Sequence, residues 1–347
     1  MRTPSRFLPH LQKSRVTHTA LAFPVLLITA GIVGACASPQ ASPASPPPPP
    51  PPPPAEHVPP PVEEEEEAKE PTVKIIADVG FSTPESVYFD KKRDVYLVSN
   101  INGGPIAKDG NGFISKVTPD GEVTLKFIDG ADKGIDLNAP KGLTISGDTL
   151  YVADIDHVRL FDAQTGLAKG AVKIEGATFL NGLSTGKDGV VYVSDSGLDA
   201  NFASTGTDAI YSIVDEKLKT ILRDKSLGSP NGLAAAKGGV WVTTFGSGEL
   251  FWVSDKGKKE QIQKLPQGKN DGLITTKDDR FLVSSWEDSA VFARGKDGSF
   301  HKEISGVEAP ADIGYDCQRN RVLIPLFKKN AIVLHTLAEP APTSDPK

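Results

Sequence analysis

From Val73 onward, apolar and polar residues alternate with a period of two in short runs, and each run ends in a Gly, Asp or Asn turn. No long stretch carries the three-and-four spacing of an amphipathic helix. Leu233–Ala235, Val240–Thr243, Leu250–Val253 and Gln261–Lys264 read as four consecutive strands. The first of them opens with Ser229-Pro230-Asn231-Gly232-Leu233, and this opening recurs along the chain. Positions equivalent to Asn231 are Glu85, Lys141, Asn181, Asp271 and Ala311, with spacings of 56, 40, 50, 40 and 40 residues. A near-constant period of this length marks a repeat architecture.

The repeat predicts six units of ~44 residues, the size of a four-stranded propeller blade. The last unit supplies three strands, near Ile313, Val322 and Ala331–Leu334, before the chain runs into Pro340. Val73–Ile76 is a strand with no unit of its own. It can complete the last blade and close the ring, which leaves no open edge. The expected fold is therefore all-β: a six-bladed propeller over residues 72–337, built of four-stranded antiparallel blades. In such a blade the residues equivalent to Asn231 start the inner strands and ring the central axis. The long, Gly-rich connections 101–112 and 196–207 should overhang the same mouth, where function usually sits.

Glu85, Asn181, Asn231 and Asp271 would place two carboxylates and two amides around one opening. These are hard oxygen donors, suited to a divalent cation and to calcium in particular. No His or Cys falls at these positions, so a zinc-type donor set is absent. Asn-Gly is also a common turn pair, but Glu85 after Pro84 follows no turn preference. Asn100, Asp154 and Asp195 end second strands on the same face and are candidates to bind substrate hydroxyls. Lys141 faces the axis from the second unit. It could hold an anionic substrate, or pair with Glu85 or Asp154 and compete with the metal.

With these residues in place, the six repeats resemble the SMP-30/gluconolactonase/LRE-like family, related in architecture to paraoxonases. The resemblance implies a divalent cation held by Glu85, Asn181, Asn231 and Asp271. It also implies metal-dependent hydrolysis of a lactone or related ester, with Asp271 as catalytic base. Phe179 stands where sugar-lactonase members tend to carry a substrate-binding Arg, so a less polar substrate is expected. A second reading of the same features is a non-catalytic propeller that binds a ligand or a protein at the cell envelope.

The chain before the repeats reads as an address and a tether. Arg2, Arg6, Lys13 and Arg15 precede an apolar run from Leu21 to Val33 that is short for a membrane span. It ends Val33-Gly34-Ala35-Cys36, which resembles a bacterial lipobox. Residues 1–35 would be removed and Cys36 lipidated; an ordinary signal peptide or a signal anchor is the plainer alternative. Ala37, in place of Asp, resembles the sorting pattern of outer-membrane lipoproteins, facing the periplasm or the cell surface. Pro46–Pro54 and Glu63–Glu67 make residues 37–71 an extended, self-repelling tether of about 100 Å. It serves equally as a stalk of set length or as an indifferent spacer. Residues 338–347 are read as a disordered tail.

Removing the first 35 residues takes the net charge from −6 to −10, and no basic stretch with interleaved aromatics remains, so nucleic acid is not an expected partner. Expected partners are a small molecule and, through the lipid, a membrane. With Cys36 committed to lipid, Cys317 has no intramolecular disulfide partner.

Overall fold

The alternation predicted from the sequence is realised in strands of three to seven residues whose buried sides face a neighbouring blade. The computed structural model describes residues 73–338; the leader, Cys36, the tether and most of the tail lie outside these. Among the described residues there are 24 strands and no helix, arranged as six four-stranded antiparallel sheets. No described helix could therefore cross a membrane. Each sheet runs outward from the axis. Pro230–Ala236 is buried over most of its length, whereas the outer strand Lys217–Arg223 is largely exposed. The inner strands touch in sequence around the ring, and that of blade 6 returns to that of blade 1.

The core lies between blades rather than within one. Tyr151, Val158 and Leu160 of blade 2 pack on Leu180, Leu183 and Val193 of blade 3. Tyr192 and Ile210 of blade 3 pack on Leu233 and Phe251 of blade 4. Because each blade buries one face on the next, an open arc would leave two apolar faces in water.

Ring closure follows the expected route. Val73–Ile76 pairs antiparallel with Ala331–Thr336, with Val73 opposite His335 and Ile76 opposite Ile332. Ile76 is 5% exposed and joins Tyr96, Val98, Leu323 and Leu334 at the junction of blades 6 and 1. Cys317 is half-buried beside the same cluster, with a free thiol.

Burying one Ile contributes about 1.5–3 kcal/mol, and losing the strand also bares the edge of Ala331–Thr336. A chain beginning at Pro71 should melt with the full-length protein. One beginning at Ala77 should melt at least about 5 °C lower. Equal midpoints for the two truncations would show that this strand does not close the ring.

Candidate active site

The axial site is made by an irregularity repeated in five blades. The pairing of the inner strand with its neighbour shifts register just where the ring residue sits: between Pro84 and Val87, Pro140 and Leu143, Leu180 and Leu183, Pro230 and Leu233, and Asn270 and Leu273. A bulge bends the strand and re-aims one side chain. It also frees a backbone N–H. The Gly182 and Gly272 amides donate to Ser194 Oγ (2.8 Å) and Ser284 Oγ (2.7 Å), and Ser86 N donates to Ser99 Oγ (2.9 Å). The Ser194 and Ser284 hydroxyls then donate to the next blade, at Asn231 O and Ala311 O, both 2.7 Å.

The glycine that follows Lys141, Asn181, Asn231 and Asp271 answers the same geometry. A Cβ on Gly182 would lie 2.3 Å from the Asn231 carbonyl oxygen, and one on Gly232 2.3 Å from that of Asp271. Neither glycine has a positive φ. Asn-Gly here is thus a close-approach pair rather than a turn.

Glu85, Lys141, Asn181, Asn231 and Asp271 line one pocket, and none is more than 4% exposed. Asn181 Nδ2 donates to Ser196 Oγ (3.0 Å), whose own proton goes to Pro230 O (2.7 Å), so Asn181 Oδ1 is left over. Glu85 Oε2, Asn181 Oδ1, Asn231 Oδ1 and Asp271 Oδ1 are all buried with no hydrogen-bond partner. Buried acceptors are normally satisfied. Four left bare in one pocket fit a divalent cation, and they fill four of the six to eight oxygen positions calcium takes. Among the described residues no three His, Cys, Asp or Glu side chains gather into a site of their own, so the two amides are needed to make this one.

Burial, reinforced by Asp271 and Asp312, pushes the Glu85 carboxyl well above the usual range; Lys141 opposes this. Burial and Asp312 do the same to Asp271, against the Trp286 indole and the Asn231 amide. Burial alone drives the Lys141 ammonium down to about 8 despite Glu85, Asp154 and Asp195.

Among the described residues Lys141 makes no direct ion pair. Its Nζ donates to Pro105 O (2.7 Å) and Ala139 O (3.0 Å) and stands 4.5 Å over the Phe179 ring. It therefore pins the long connection of blade 1 and adds a positive charge near Glu85.

Asn100, Asp154 and Asp195 are fully buried, do not line the pocket, and are used within the fold. Asn100 accepts from Ser82 N (3.0 Å). Asp154 pairs with Arg159 Nε (2.9 Å) and accepts from Ala139 N (2.8 Å). Asp195 accepts from Phe179 N and Gly197 N, both 3.0 Å. Their side chains turn back to brace the entry to the inner strand. His157, His301 and His335 also lie outside the pocket.

Two features escaped the sequence reading. The pocket walls are apolar: Ile101, Pro105, Phe179, Leu198, Phe202, Phe245, Trp286 and Phe327 leave about 20 Å³ for solvent, room for one water or one ion. Asp312 brings a third carboxyl to the axis. It lines the wider opening of about 560 Å³ at the opposite end and accepts from Ser86 Oγ (2.7 Å).

The comparisons match this architecture at low identity. A gluconolactonase from Xanthomonas campestris superposes with a TM-score of 0.60 at 16% identity, covering 78% of this chain and 91% of that one. A luciferin-regenerating enzyme gives 0.57 at 13%, covering 77% and 95%. A catalytically inactive virginiamycin B lyase from Staphylococcus aureus, bound to quinupristin, gives 0.54 at 12%, covering 77% and 100%. No family model matches the sequence, and no curated protein matches it. The shared feature is the six-bladed fold.

Burial raises the Asp312 carboxyl to about 6, against about 4 in an unfolded chain. The folded state then holds its proton more tightly. The carboxyl costs nothing below about pH 4 and opposes folding fully above about pH 6, by on the order of 2 kcal/mol. In chelator-treated protein, Asp312→Asn should raise the thermal midpoint at pH 8 and leave it unchanged at pH 4. An unchanged midpoint at pH 8 would contradict this.

Proposed function

We propose that the chain is a divalent-cation-dependent hydrolase of a lactone or related ester, of the SMP-30/gluconolactonase type, held at the bacterial cell envelope by lipid on Cys36. One observation carries the reading: four buried oxygens without partners, from Glu85, Asn181, Asn231 and Asp271, converge on the axis. The same scaffold serves a gluconolactonase and a streptogramin lyase, so the fold does not choose the reaction. The donor set supports hydrolysis.

Those four residues would hold the cation. When bound, it would polarise an ester carbonyl and lower the pKa of a neighbouring water. Glu85 and the two amides present acceptor oxygens only, so their part would be to hold the cation. Asp271, an ionised carboxylate once the cation neutralises its surroundings, would take the proton from the attacking water. The water oxygen bonds to the carbonyl carbon, the carbon–alkoxy bond breaks, and Asp271 returns the proton to the departing alkoxide. The apolar walls exclude other water, which strengthens each of these interactions.

Calcium at about a hundred times its Kd should stabilise the native state by ~2.7 kcal/mol, read as a rise in thermal midpoint. Asp271→Asn keeps an oxygen but loses a charge. It should weaken that shift and lower turnover at least ~100-fold. Lys141→Met keeps the stem over Phe179 and removes a like charge, so calcium should bind several-fold tighter. No calcium shift together with an active Asp271→Asn variant would sink the hydrolase reading. Calcium binding without turnover of any ester would move it to a ligand-binding propeller.

A further inference from the structure

The apolar wall above the ring has a regular origin. The residue that follows the second strand holds an equivalent place in every blade: Ile101, Ile155, Ser196, Phe245, Trp286 and Phe327. Blade 3 alone places a small polar residue there, with the Ser196 hydroxyl turned to Pro230 O. The connection that follows delivers Phe202 into the gap. Its ring centre lies 6.0 Å from Phe179, 6.1 Å from Phe245 and 6.3 Å from Trp286. Trp286 is in turn 5.7 Å from Phe245 and 4.9 Å from Phe327. Five rings thus form one continuous surface.

Phe202 differs from the other four. It is 40% exposed and sits at φ 61, a left-handed backbone that bulky residues rarely adopt. With Leu198 and Phe245 it also lines a second depression, about 610 Å³, that runs outward past Lys264, Lys269 and Glu287. The Phe202 ring therefore stands as a partition between the narrow axial pocket and the wider lateral groove.

We propose that this site takes a lactone or ester bearing an apolar acyl chain, and that Phe202 moves aside so that the chain runs from the axial ring into the lateral groove. The substrate class rests on the hydrolase reading given above. The ring oxygens would be taken up by the cation, and the walls offer a polyhydroxylated substrate almost no partners. Its hydroxyls would lose water against aromatic faces. An acyl chain gains instead, about fourfold in affinity for each methylene buried. With Phe202 in place the axial pocket is narrow, about 20 Å³, and a substrate bearing an acyl chain needs more room than this beside Glu85 and Asp271. The exposed Phe202 can move aside without disturbing a blade. The Trp286 indole lies on the same wall beside Asp271, and its N–H, which makes no full hydrogen bond, can turn to the lactone oxygens.

The test uses the full chain with calcium and a homologous series of saturated lactones from δ-valerolactone to δ-dodecalactone, with glucono-δ-lactone as the polar control. Expected is a kcat/KM that climbs about fourfold per methylene until the groove is full, with the polar lactone far below the series. The δ-lactam matching δ-decalactone, which resists hydrolysis, should quench tryptophan fluorescence, and Trp286→Phe should remove the change. Phe202→Ala, confirmed as folded by a cooperative thermal transition, should raise the preference for δ-decalactone over δ-valerolactone by about one order of magnitude. Chain-length-dependent lactam binding with no turnover of any lactone would sustain the apolar ligand while the hydrolase reading failed. Turnover that ignores chain length, or favours glucono-δ-lactone, would overturn the substrate class. An unchanged chain-length preference in Phe202→Ala would overturn the partition.

Discussion

The axial site depends on how closely the inner strands approach one another. At the axis there is no room for a Cβ between the Gly182 or Gly232 backbone and the next blade's carbonyl. Strands this close could not continue straight pairing into their own sheets, and the bulge at each entry resolves the conflict. It leaves an N–H unpaired, and in three blades a serine of the second strand supplies the acceptor. Two of those serines then tie onto the following blade. Ring side chains held this way have little freedom to turn away from the axis. The unpartnered oxygens are therefore imposed by the backbone rather than left by loose packing.

The charges follow from that enforced proximity. Glu85, Asp271 and Asp312 are gathered against one Lys141, whose ammonium is taken up by two carbonyls and an aromatic face. The carboxyls resist ionisation because burial and one another oppose it. A divalent cation would reverse both effects at once, and burial that is unfavourable without it would then strengthen its binding. Asp312, on the far side of the constriction, adds to the negative potential without reaching the pocket.

The fold was legible because the repeat supplied its own register. Once Asn231 was aligned, the positions of Glu85, Asn181 and Asp271 followed, and the leftover Val73–Ile76 had one place to go. The polar second ring lies back from the pocket for a local reason. Asn100, Asp154 and Asp195 do end second strands, but their side chains fold back to hold the loop entering the blade. One residue further on, Ile101, Phe245, Trp286 and Phe327 turn over the mouth. That row is visible in the sequence once the count is advanced by one. Asp312 was passed over because Ala311 fills the aligned position, and the carboxyl comes from the next residue, where four other blades carry glycine and blade 1 carries Ser86. Phe202 obeys no repeat, and only the loop path brings it to the pocket.

The central claim is that the four axial oxygens hold one cation against the wall that carries Trp286. Terbium, a luminescent stand-in for calcium, tests it directly. The chain has three tryptophans, and Trp241 and Trp252 pack on each other in blade 4, outside the pocket lining. Excitation of tryptophan should produce terbium emission that calcium displaces, that Trp286→Phe abolishes and that Trp252→Phe leaves intact. Absence of sensitised emission, or emission that survives Trp286→Phe, would place the ion elsewhere and contradict the account.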